Sequence, residues 1–190
     1  MRVVISDIDE GPLRELSRRL VSTGADVVAF AGDVSESEDV LRLKKSAINA
    51  FGTVHLLFNN ASVGGPGGLG WQNTEDDWLR TLGVNLSGAV HGVRHFVPLM
   101  LEAAVRSRSY HARVVNTASM AGLVNSPLMG VYSASKHAVV SLTETLRYDL
   151  LLVGGRVRCS VTCPFFVATS IATAGALRQP STRGQQIAQP

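Results

Sequence analysis

The chain reads as an open α/β sheet of parallel strands covered by helices, and three observations predict it. Short β-branched runs alternate with longer helical stretches, the order that builds strand–helix–strand units. Apolar residues make up 45% of the 190 and charged residues 17%, enough for one real core. The pair Gly154-Gly155 closes the last helical stretch, as glycines past a helix end do.

Strands are predicted at Arg2–Ser6, Asp26–Ala31, His55–Asn59, Arg113–Ala118 and Arg156–Cys163, and helices near Gly11–Ser22, Ser37–Phe51, Thr74–Ala104 and Gly130–Val153. Strands joined by helical crossovers run parallel, with both sheet faces covered. The pattern fails after Ala174, where "ALRQPSTRGQQIAQP" is polar and aperiodic. Residues 1–174 are therefore expected to form the domain and residues 175–190 a flexible tail.

Composition excludes several functions. The net charge of +3 comes from scattered Lys and Arg, without a basic run or interleaved aromatics, so no nucleic-acid partner is expected. No apolar run reaches the ~18 residues of a membrane span, and no signal peptide is expected, since the first residues are β-branched and lead straight to acid groups. Cys159 and Cys163 fall about 13 Å apart on an extended strand, too far for a disulfide, and are read as thiols of a cytoplasmic protein. His91 and His95 share a helix face, but no third metal ligand is suggested, so no metal is expected. On the same helix, Gly88 and Gly92 are read as sites of close packing.

The stretch that carries chemistry is "YSASK", Tyr132 to Lys136. A spacing of four on a helix puts a phenol and an ammonium on one face. A phenol with a pKa near 10 is a poor base at pH 7, and lowering it by roughly three units takes about 4 kcal/mol. A cation about 4 Å away, at an effective dielectric near 20, supplies on the order of 4 kcal/mol. Ser119 ends "RVVNTAS" at the carboxyl edge of the sheet, where open α/β sheets bind ligands, and "NNA" ends another strand there. Asn85, in "GVNLSG", is an amide inside the long third helix, which needs a polar reason to be buried.

In order, Asp7, "GDVS", "NNA", "VNLSG", "NTASMAG", "YSASK" and "CPFFVAT" resemble the short-chain dehydrogenase/reductase family, to about Thr169. The resemblance implies a Rossmann-like, doubly wound sheet and hydride transfer between a nicotinamide cofactor and a secondary alcohol or ketone. It makes Tyr132 the proton-exchanging group and Ser119 the residue that orients the substrate oxygen. Lys136 supports Tyr132 and holds the nicotinamide ribose, and Asn85 holds a water that links Lys136 to solvent. It places Asp7 on the adenosine ribose, Asp33 and Val34 beside the adenine, and Asn59, Asn60 and Ala61 along the cofactor, with Pro164, Val167 and Thr169 at the nicotinamide end. A carboxylate at Asp7, with Ile8 rather than Arg beside it, favours NAD over NADP. Asp9 serves equally well as the helix cap, which leaves Asp7 for the cofactor.

The chain departs from the family in ways that carry expectations. The family's opening strand and Thr-Gly-x-x-x-Gly-x-Gly turn are absent, as is its last strand, so Met1 looks like an internal or displaced start and the sheet is expected to be incomplete. Without the first strand the spatial order can still close up, provided the helices shift to fill the gap. "GPGGLG", Gly65 to Gly70, matches G-x-G-x-x-G but opens no helix, and is read as a loop at the substrate cleft. Ser62 and Phe165 stand where the family has glycines and are expected to narrow the pocket. The expected partners are a small alcohol or carbonyl compound and a second copy, paired through the two long helices. The alternative is an inactive, truncated homologue acting as an interaction subunit.

Overall fold

The computed structural model describes residues 2–167, 169 and 171; the predicted tail lies outside the described residues. Among the described residues five strands and five principal helices follow in the order β1 (Arg2–Asp7), α1 (Glu10–Ser22), β2 (Asp26–Ala31), α2 (Ser37–Phe51), β3 (Leu56–Asn59), α3 (Glu75–Leu82), α4 (Gly88–Arg106), β4 (Ala112–Thr117), α5 (Gly130–Leu152) and β5 (Val157–Thr162). Every strand pair is parallel. Asp9 caps α1 by accepting from the Gly11 N–H at 3.1 Å, and Thr74 caps α3 in a reciprocal box with Asp77. Gly154 and Gly155, at φ 109° and 68°, end α5 with N–H groups on the Leu151 and Leu150 carbonyls.

One expectation needs correction. The long helix predicted over Thr74–Ala104 is two helices joined by a π turn, Gly83–Ser87, where the Gly88 N–H reaches back to the Gly83 carbonyl. Apolar periodicity cannot see a one-residue change of register that keeps the chain helical, and such turns gather at functional sites. The sheet is incomplete, as expected. It lies in two pieces, β1–β2 and β3–β4–β5, in the expected spatial order but without hydrogen bonds between β1 and β3. Between them runs a cavity of about 850 Å³ lined by both strand edges.

The helices explain why the gap persists. Val34, after β2, lies against Gly88 of α4 so tightly that a Cβ there would come within 2.8 Å of Val34 Cγ2. The His91 ring bonds the Val34 carbonyl at 3.0 Å and the His95 ring the Ser37 hydroxyl at 2.9 Å, fixing α2 to α4. These contacts hold the β1–β2 unit at a set distance from β3. The dry core lies beyond the slot, where Met100, Val114 and Val157 are 0–1% exposed among residues of α4, α5, β4 and β5. Strand β1 buries no residue fully, and Leu56 and Phe58 of β3 remain 48% and 58% exposed, because neither strand has a neighbour across the slot.

Candidate active site

The carboxyl ends of β3, β4 and β5 lie side by side, tied by short polar side chains. Thr117 donates to Asn60 Oδ1 at 2.9 Å and accepts from the Thr162 hydroxyl at 3.4 Å. One residue deeper, Asn59 donates to Asn116 Oδ1 at 2.8 Å, and Asn116 donates to the Thr143 hydroxyl at 2.9 Å. Asn116 is 0% exposed, so this chain satisfies an amide that would otherwise be costly to bury. Gly92 lets α4 close over it: a Cβ there would sit 2.0 Å from Asn59 Oδ1. The Asn59 side-chain amide joins β3, β4 and α4, and Asn59 also lines the slot.

Helix α5 carries Tyr132 and Lys136 on one face, with the Lys136 ammonium 5.6 Å from the centre of the Tyr132 ring. Lys136 is 1% exposed and donates to the Thr117 carbonyl at 3.1 Å. Burial pulls its pKa from 10.5 down to about 8, with the Cys163 thiol opposing, so it stays mainly charged at pH 7. The Ser119 turn packs straight onto this helix, since a Cβ at Gly122 would lie 2.7 Å from the Lys136 carbonyl oxygen. Ser119 accepts from the Ala121 N–H at 3.2 Å, which leaves its own proton to donate. The next N–H, of Met120, donates to the Pro164 carbonyl at 3.0 Å and brings the chain after β5 to the same place.

Asn85 sits in the π turn at 3% exposure, and its amide is fully used. Its Oδ1 accepts from the Ser62 hydroxyl at 3.0 Å and the Val63 N–H at 2.8 Å; its Nδ2 donates to the Val63 carbonyl and the Ser135 hydroxyl, both at 3.0 Å. Ser135 in turn donates to the Tyr132 carbonyl at 2.7 Å. Both amide oxygen bonds and both amide N–H bonds of the side chain are thus made within the protein. Asn85 ties the loop after β3 to the turn of α5 that carries Tyr132. Ser62, read from the sequence only as narrowing the pocket, spends its hydroxyl on Asn85, and Ser135 was not marked at all, because its part depends on a contact with Asn85 across 50 residues.

The predicted residues thus fall into two groups. Asp7, Asp33, Val34, Asn59, Asn60, Ala61 and Asn85 line the slot; Ser119, Tyr132, Lys136 and Pro164 stand on the loops beyond β4 and β5 and on α5. Asp7 is exposed, with one oxygen accepting from the Asp9 N–H at 2.9 Å. Asp33 accepts from the Ser35 N–H and hydroxyl at 2.8 and 2.7 Å. Val167 and Thr169 are exposed after β5. The glycine loop lies on the Tyr132 side: Gly65 is against Thr81 and Tyr132, and the Gly68 N–H donates to the Leu128 carbonyl at 3.1 Å.

Residues 1–179 match the family model for short chain dehydrogenase. The chain belongs to the short-chain dehydrogenase family, and its fold is the Rossmann-like, doubly wound α/β type. Among curated proteins it is 34% identical over 171 residues to a CLA biosynthesis dehydrogenase/reductase of Lactiplantibacillus plantarum, covering 90% of this chain. It is 36% identical over 168 residues to the 1-deoxy-11-beta-hydroxypentalenate dehydrogenase of Streptomyces exfoliatus, covering 88%. The chain spans 58% of the length of each of these two relatives. A short chain dehydrogenase/reductase from Burkholderia phymatum, solved in complex with NAD, superposes with a TM-score of 0.89 at 47% identity, over 98% of this chain and 67% of that one.

Proposed function

We propose that this chain carries the proton-transfer half of an NAD-dependent oxidoreductase that interconverts a secondary alcohol and a ketone. The observation that carries the reading is the buried Lys136 ammonium, 5.6 Å from the Tyr132 ring and pinned to the Thr117 carbonyl. With the Lys136 ammonium beside it, Tyr132 takes the alcohol proton in oxidation and returns it in reduction. Ser119 donates to the substrate oxygen and holds it beside Tyr132. Asn85, through Ser135, holds the first turn of α5 in place.

The residues fit a dinucleotide in parts. The slot of about 850 Å³ has room for an extended ligand, and the exposed Asp7 carboxylate suits a ribose diol and repels a 2′-phosphate. Tyr132 and Lys136 suit the nicotinamide ribose. When bound, the cofactor supplies the hydride acceptor. Free thiols at Cys159 and Cys163 suit the reducing cytoplasm, and no helix among the described residues is long and apolar enough to cross a membrane.

Tyr132→Phe removes the proton carrier and keeps the ring. Turnover of secondary alcohols with NAD is expected to vanish in this variant while its circular dichroism stays unchanged; retention of most activity refutes the assignment. The split sheet favours one second reading, a non-catalytic subunit that pairs with another copy through α4 and α5. Titration with NADH followed by fluorescence separates the two: saturable binding supports the oxidoreductase, and its absence supports the subunit.

A further inference from the structure

Three loops form a ring around Tyr132, and none of them carries a charge. The glycine loop meets the Ser119–Met129 loop through the Gly68 N–H on the Leu128 carbonyl and a bridge from Gly68 to Met129. The Ser119 loop meets the segment after β5 through the Met120 N–H on the Pro164 carbonyl. That segment returns to the glycine loop, where a Cβ on Gly64 would lie 3.1 Å from the Ile171 carbonyl oxygen. Gly65 closes the ring, 3.8 Å from Tyr132 Cβ by the same measure.

Residues 56–74, 114–135 and 159–171 contain no Asp, Glu, Lys or Arg, in a chain where 17% of residues are charged. What the ring offers instead is apolar surface open to solvent: Trp71 at 82%, Phe165 at 75%, Val124 at 57% and Leu128 at 55% exposure. Leu128 is also the one described non-glycine residue at positive φ, 65°, a strained conformation that gathers at ligand clamps. The cation next to the ring, Lys136, is buried and committed to Thr117.

We infer that the ligand held over Tyr132 is a neutral, predominantly apolar ketone or secondary alcohol, and that the ring rejects carbonyl compounds bearing a carboxylate or phosphate. This rests on the proposed function for the placement of the reacting carbonyl at Tyr132. The physical reason is desolvation: an anion entering this ring sheds water and meets no cation among the described residues of the ring to replace it. An apolar body gains by covering Trp71, Phe165, Val124 and Leu128. A ring built for acidic substrates would present Arg or Lys, the groups that pair with carboxylate and phosphate.

The experiment uses the full chain with Trp78→Phe, which leaves Trp71 as its only tryptophan. The probes are 4-isopropylcyclohexanone, 4-oxocyclohexanecarboxylate and the methyl ester of the latter, titrated against Trp71 fluorescence and assayed as substrates with NADH. The isopropyl ketone is expected to bind at least tenfold more tightly than the carboxylate, with the neutral ester between them. Leu128→Lys and Val124→Lys, each placing a cation on the ring, are expected to narrow or invert that ratio. Equal or tighter binding of the carboxylate overturns the inference, and the proposed function survives if Tyr132→Phe abolishes whatever turnover is seen. Selective binding of the neutral ketones with no turnover overturns the proposed function and supports the apolar ring. Binding of none of the three, with Trp71 becoming shielded as protein concentration rises, assigns the ring to an interface between copies and overturns the inference.

Discussion

Replacing Lys136 by Met is expected to stabilise the fold while removing activity. The lysine has a pKa of 10.5 in the unfolded chain and about 8 in the fold. Between those values the folded protein binds fewer protons than the unfolded one, so stability rises as pH climbs from about 8 to 10.5. Below pH 8 the full cost of the buried ammonium is present, about 3 kcal/mol at about 1.4 kcal/mol per pKa unit. Met fills similar volume without charge, and loses the bond from the charged ammonium to the Thr117 carbonyl, worth about 2 kcal/mol. The balance is a gain of about 1 kcal/mol at pH 7, a rise in Tm of roughly 2–4 °C for a chain of this size. Urea unfolding of both proteins at pH 7 and pH 10 measures it. The variant is expected to be the more stable at pH 7, with the gap narrowing at pH 10 as wild-type Lys136 sheds its proton. A variant less stable than wild type at pH 7, or two parallel pH profiles, refutes the claim that Lys136 is held charged at a cost. Ketone reduction by the wild type is expected to fall as pH rises through about 8, when the cation beside Tyr132 is lost.

Two further substitutions test the scaffold. Gly92→Ala places a Cβ 2.0 Å from Asn59 Oδ1 and breaks the Asn59–Asn116 strut, a loss of about 1–3 kcal/mol expected in urea unfolding; an unchanged midpoint refutes the strut. Ser135→Ala leaves an Asn85 N–H buried without its acceptor, a cost of about 1–3 kcal/mol, and loosens the turn that holds Tyr132. Its kcat is expected to fall more than its KM rises; a rise in KM alone argues that Asn85 does not position Tyr132.

Much of the site was legible because its chemistry is written in short spacings. Tyr132 and Lys136 share a face by helical geometry alone, and Asp9 before the apolar turn of α1 is a cap by its type and place. The elements were legible for the same reason, with strand ends displaced by about a residue: β4 begins at Ala112 rather than Arg113, and β5 ends at Thr162 rather than Cys163. The π turn was not legible, since helix and π turn share one hydrophobic pattern. Nor was the Asn59–Asn116–Thr143 chain, because polar residues at strand ends and on a helix look alike whether they face water or one another.

The sequence by itself determined which residues form most of the helices and strands, that the strands run parallel, and that Tyr132 and Lys136 share a helix face. Those properties follow from local periodicity and from residue type, which act over a few positions. Only the tertiary structure decided that the sheet stays in two pieces, that Asn85 uses its whole amide inside the protein, and that three uncharged loops meet around Tyr132. Each of these depends on which distant segments touch. Gly88 and Gly92 let α4 press on Val34 and Asn59, and that packing sets the slot, a distance that no local pattern encodes.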